Sequence, residues 1–148
     1  MRISKELYMK FPVILREKLL KGELEFPEGT LFEYADVLAY RAVSRAKGDK
    51  TQVNREDFRS YFEEKKTPKK VRGTDELCAD SHYYGVSLFT NRKIIERQMK
   101  FPNPRKKLAQ GYVSQSYGPQ ETKNFHVCWW LYEGAEIKSF KVQEEEEQ

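Results

Sequence analysis

Apolar and polar positions along residues 83–112 set out three elements in succession. Tyr83, Tyr84, Val86, Leu88 and Phe89 form an aromatic and β-branched run, the composition of a pleated, largely buried strand. Asn91 follows where its side chain can cap a helix by accepting an orphan backbone N–H. Ile94, Ile95, Met99 and Phe101 then recur on one helical face, with Arg92, Lys93, Glu96, Arg97 and Lys100 on the other. Pro102 and Pro104 stop this helix, Arg105, Lys106 and Lys107 form a basic shoulder, and residues 108–113 resume a strand.

The same reading extends to both sides. Leu7, Phe11, Ile14, Leu15 and Leu19 recur at helical spacing over residues 4–21. Pro12 divides the stretch and opens a second helix, which Gly22 ends. Thr30 and Glu33 have the spacing of a capping box, which argues for a helix. The apolar run 37–43 that follows reads equally as a buried strand, because short runs do not separate the two periods; we take 37–44 as a strand. Asn54 caps a predicted helix over 54–65, with Phe58, Tyr61 and Phe62 as its buried stripe. Residues 65–73 are a basic loop around Pro68, and 74–82 continue as loop. Polar residues with Gly118 and Pro119 make 114–123 a loop between strands. Residues 124–133 and 137–142 are the last two predicted strands.

The expected class is α+β, with N-terminal helices packed on a mostly antiparallel sheet of about four to five strands from the second half. One globular domain is expected over 1–143, with an acidic, disordered tail at 144–148. A hydrophobic fraction of 39% with 14% aromatics is enough for a packed core, despite 34% charged residues. There is no apolar run long enough to span a bilayer and no signal-peptide pattern, so a cytoplasmic location with no membrane partner is expected. Two cysteines are too few for a disulfide scaffold. The net charge of +4 already includes the four glutamates at 144–147, so the body is more basic than the total and suits an anionic partner.

Three constellations carry candidate chemistry. Cys78 and His82, with His126 and Cys128 two residues apart on a predicted strand, supply the ligand types and number of a structural zinc site, without the spacing of a familiar finger. Arg41, Ser87 and Glu133 fall in the order arginine, serine, glutamate. That order resembles ADP-ribosyltransferase-like domains. The resemblance implies that Arg41 and Ser87 hold NAD and that Glu133 orients the attacking group. It departs from the family at Ser87–Thr90, which is not Ser-Thr-Ser, and at Glu133 and Glu136, whose spacing is not that of the family's glutamate loop.

The third constellation is basic and aromatic. Lys69, Lys70 and Arg72 form one cluster, and Arg97, Arg105, Lys106 and Lys107 belong to another. Tyr84 and Trp130 offer stacking faces, Trp130 on the reasoning that of two adjacent tryptophans on a strand one faces the core and the other a cleft or solvent. The chain contains no GxxxxGK, GxGxxG or GxSxG pattern. The leading expectation is a binding domain for an anionic ligand, nucleic acid or nucleotide. The alternatives are an NAD-using enzyme and an accessory protein that binds an acidic protein surface.

Overall fold

The computed structural model describes residues 5–65, 69–70, 77–78, 81–101 and 104–143. In chain order the elements are α1 (Lys5–Tyr8), α2 (Val13–Leu20), β1 (Val37–Ser44), β2 (Lys69–Lys70), β3 (Leu77–Cys78), β4 (Val86–Phe89), α3 (Arg92–Gln98), β5 (Lys106–Val113), β6 (Gln120–Lys123), β7 (His126–Trp129) and β8 (Lys141–Val142). Six strands form one sheet in the order β6-β7-β4-β1-β5-β8, and β2 pairs with β3 separately. Every neighbouring pair in the large sheet is antiparallel. The class is α+β as expected, but the sheet has six strands rather than four to five, and β1, from the first half of the chain, lies near its middle. It pairs with β5 along its whole length, from Val37↔Val113 to Ser44↔Lys106. No helix among the described residues is long and apolar enough to cross a membrane.

Both faces of the sheet are covered, and β7 shows how. Its side chains alternate, so Val127 and Trp129 enter one core while Cys128 and the following Trp130 enter another. The first core gathers Ala39 and Val43 from β1, Val86 and Leu88 from β4, and Ala109 and Val113 from β5, closed by Phe58 and Phe140. The second joins Cys128 and Trp130 to Phe11 and to Leu15 and Leu19 of α2. Phe26 stands edge-on to Trp130 with ring centroids 5.1 Å apart. Pro12 precedes α2 as expected, and Gly22, at φ 73°, follows its end. Trp129 and Trp130 are both 0% exposed, so the expectation that one of them faces a cleft or solvent is corrected. Each indole N–H donates to a carbonyl, Trp129 to Gly118 at 3.2 Å and Trp130 to Ser81 at 2.7 Å.

Three predicted elements change. The helix predicted over 54–65 is reduced to one 3₁₀ turn, Arg55–Asp57, because arginine side chains take the carbonyls that an α-helix would use. Arg41 donates to the carbonyls of Asp57 and Arg59, and Arg55 donates to that of Phe58. The Phe62 amide turns away to the Tyr83 carbonyl. Tyr83 and Tyr84 leave the predicted strand for a 3₁₀ turn, Ser81–Tyr84, whose Ser81 and Tyr83 carbonyls accept from Trp130 and Phe62 rather than from a neighbouring strand. The predicted loop 114–123 contains the polar strand β6, and the strand predicted from 124 begins only at His126, after a two-residue turn. Ile137 and Phe140 are buried as expected, although only Lys141 and Val142 pair with β5.

Gly118 joins these parts. Its carbonyl accepts from Trp129 and also from the Tyr34 hydroxyl at 2.7 Å. Its φ of 146° disfavours any side chain, and a Cβ there would lie 1.9 Å from the Trp130 carbonyl oxygen. Gly118→Ala is therefore expected to destabilise the fold by about 2 kcal/mol or more, read as a fall in the urea midpoint with an unchanged slope.

Candidate functional site

Arg41 lies in an otherwise apolar strand, on the same side of β1 as Ala39 and Val43. Its side chain crosses the ring of Phe58, with the guanidinium carbon 5.7 Å from the ring centroid. The guanidinium then enters a gap in the sheet. β1 and β4 pair only at Tyr40↔Phe89, and the ladder does not continue to Arg41 opposite Leu88 or Ala42 opposite Ser87. Arg41 bridges the opening by donating Nη1–H to the Ser87 carbonyl at 2.6 Å and Nε–H to the Asp57 carbonyl at 2.7 Å. Burial lowers its pKa from the ordinary guanidinium value, and the nearby charges of Glu64 and Asp57 act the other way. The group remains a cation at neutral pH.

A second arginine fixes the carbonyl that Arg41 uses. Arg45 and Asp57 form a two-pronged ion pair at 2.8 Å on both arms, with side chains only 6% and 11% exposed. Asp57 also accepts from the Asn54 amide and so closes a capping box. Arg45 donates further to the carbonyls of Ser44, Thr51 and Gln52. The 49–58 segment is thereby tied to the end of β1, and the Asp57 carbonyl is aimed at Arg41.

Arg41 forms part of the wall of a cavity of about 280 Å³. Its floor is one face of β4 and β7, from which Ser87, His126 and Cys128 project. Ser87 Oγ and His126 Nε2 are 2.6 Å apart. Gly85 makes room for the floor, since a Cβ there would lie 2.2 Å from Cys128 Sγ. Arg59, Tyr61 and Glu64 line it from the segment that follows the 3₁₀ turn, and His82 and Tyr83 from the turn before β4. His82 Nε2 lies 3.0 Å from Glu121 Oε1. The cavity thus carries two arginines against the single carboxylate of Glu64, together with two histidine and two tyrosine side chains. Such a lining attracts an anion and offers aromatic contact to a planar group.

The sequence-derived candidates scatter. Arg41 and Ser87 share this cavity, but Glu133 does not; it lines a second one, also about 280 Å³, with Tyr84, Phe62 and residues of α2. Tyr84 is half-buried with its ring 5.0 Å from that of Phe62, and Trp130 is fully buried. Arg97 on α3 and Arg105 are exposed, Lys106 donates to Ser44 Oγ at 2.9 Å, and Lys107 is half-buried on β5. None of these lines the Arg41 cavity. Lys69, Lys70 and Cys78 lie in β2 and β3, but their side chains, like Arg72 and the tail 144–148, fall outside the described residues. His82, His126 and Cys128 of the candidate zinc set do line one cavity, yet among the described residues no three His, Cys, Asp or Glu side chains converge as metal ligands. Sequence reasoning missed Arg59, Tyr61 and Glu64, and offered Tyr83 only as one of several aromatic stacking faces. It placed Tyr61 on a buried helical stripe and Tyr83 in a strand.

Compared with models of known families, with curated proteins and with solved structures, the chain finds no significant match.

The Arg45–Asp57 pair yields a pH dependence. Burial acts to raise the Asp57 pKa, but the hydrogen bond from Arg45, the Asn54 amide and the nearby arginine charges outweigh it, so the net shift is downward. A carboxyl depressed in the folded state contributes stability above its ordinary value of 3.8, and that stability is lost as pH falls through the lower folded value. Urea unfolding across pH is expected to show this loss in the wild type and a flatter acid limb in Asp57→Asn. At neutral pH the variant, which leaves Arg45 without its charge partner, is expected to be about 3 kcal/mol less stable.

Proposed function

We propose that this protein binds a small anionic ligand of the nucleotide class in the Arg41 cavity. The observation that carries the reading is the Arg41 guanidinium, wedged between parted strands by three backbone carbonyls in the cavity wall. Three of its five N–H groups are used in this way, which leaves two for a ligand among the described residues. A guanidinium already oriented by the fold loses little freedom when a phosphate or carboxylate arrives. Arg59 adds positive potential, the histidines offer ring nitrogens for hydrogen bonds, and Tyr61 and Tyr83 can take the flat face of a base. The volume suits one nucleotide unit, or the phosphate end of a larger one, better than a long ligand.

NAD belongs among the ligands to test, because Arg41 and Ser87, two positions of the ADP-ribosyltransferase-like order, line the cavity together. Glu133 lines the other cavity, so Glu64 is the carboxylate beside a ligand bound here.

Thermal unfolding with inorganic phosphate, AMP, ATP and NAD at equal ionic strength tests the reading. A ligand present at a hundred times its Kd is expected to stabilise the fold by about 2.7 kcal/mol, a rise of several degrees in Tm. The rise is expected to vanish in Arg41→Gln and to shrink in Arg59→Ala, which removes a half-exposed side chain that forms an ion pair with the exposed Glu56. A flat response to all four ligands, or a full response in folded Arg41→Gln, overturns the proposal.

A further inference from the structure

The turn between β6 and β7 breaks two local rules at once. Its two residues, Asn124 and Phe125, both have left-handed backbone, at φ 53° and 66°. Asparagine tolerates that conformation, whereas an aromatic residue does not, and a two-residue turn of this hand ordinarily places glycine second. The strained residue is not there to fill the core. Phe125 is 56% exposed, as much as any large apolar side chain described. Strain retained at a solvent-facing ring points to a use for the ring.

The surroundings indicate the kind of partner. Lys123, next to the turn, is exposed. The Thr90 amide donates to the Phe125 carbonyl at 2.9 Å, which sets the turn beside the start of α3, where Arg92 and Lys93 are exposed. Arg92 is engaged by Glu96 through Nε at 2.6 Å, which uses one of its five N–H donors. Residues 122–124 and 90–93, which adjoin the turn in the chain and at the Thr90 contact, are all polar or charged. A lone aromatic face among cations matches a nucleic-acid base with its phosphates.

We propose that Phe125, flanked by Lys123, Arg92 and Lys93, is a stacking platform for a base of single-stranded nucleic acid. The proposal stands on the turn and its neighbours and does not depend on the Arg41 cavity. The left-handed backbone sets Phe125 at the tip of the turn with its ring exposed, where a base can stack on it, and the cations take the adjoining phosphates.

Fluorescence anisotropy with short labelled oligothymidylate and oligouridylate, at low and moderate salt, tests it. Wild type is expected to bind at least one of the two strands, the comparison telling DNA from RNA, with affinity falling as salt rises. Phe125→Gly is expected to weaken binding about tenfold or more while raising Tm, because glycine takes the positive φ without strain. Phe125→Trp is expected to keep the binding. The proposal is overturned if wild type binds neither strand, or if Phe125→Gly binds as tightly as wild type. The mononucleotide response of Phe125→Gly is expected to match wild type, so failure at this turn and failure at the Arg41 cavity are told apart.

Discussion

Asp57 holds two arginines in different ways, and much of the molecule follows from that division. Its carboxylate is locked to Arg45, and its carbonyl is offered to Arg41. A buried ion pair of this kind contributes little net stability over an apolar replacement, but it fixes geometry strongly, since removing either partner strands a charge. Here the fixed geometry is that of residues 49–58, a segment with no strand partner in the large sheet. It carries Phe58 into the first core and sets the carbonyls that break the helix expected there.

The cavity is a by-product of the same arrangement. An antiparallel sheet normally leaves no opening between central strands, because unpaired backbone groups inside a fold are costly. Between β1 and β4 the ladder stops after one pair, and the Ser87 carbonyl is satisfied by a side chain instead of a backbone amide. Gly85 widens the same region by leaving room for the Cys128 thiol. The opening is therefore built from an arginine, a glycine and a strand that parts from its neighbour.

How much of this was legible in the sequence depends on which force decided each element. β4 and β7 each carry a β-branched and an aromatic residue and at least half of each is buried, so their composition announces them, whereas β5 is marked mainly by its apolar positions after the basic shoulder. Asn91 does cap α3, accepting from the Ile94 amide, because capping is local. β6, with the sequence Gln-Glu-Thr-Lys, is an edge strand held by its ladder to β7, and a polar edge looks like a loop. The helix expected over 54–65 was lost to donors up to 18 residues away, which no local pattern reveals. Arg41 was legible as a charge within an apolar strand. The places of Tyr61 and Tyr83 in the wall of its cavity were not, because the helix expected to hold Tyr61 did not form and the strand expected to hold Tyr83 starts only at Val86.

The adjacent tryptophans carry a consequence of their own. Trp129 and Trp130 are consecutive residues, yet each is fully buried in a different apolar cluster on opposite faces of the sheet. The stretch from Val127 to Leu131, with these two indoles at its centre, thus links the two halves of the interior. Loosening either half disturbs the main chain at the join, and with it the carbonyls of Gly118 and Ser81 that anchor the two indoles. The two layers are therefore expected to unfold as one cooperative unit, joined through the sheet by this dipeptide.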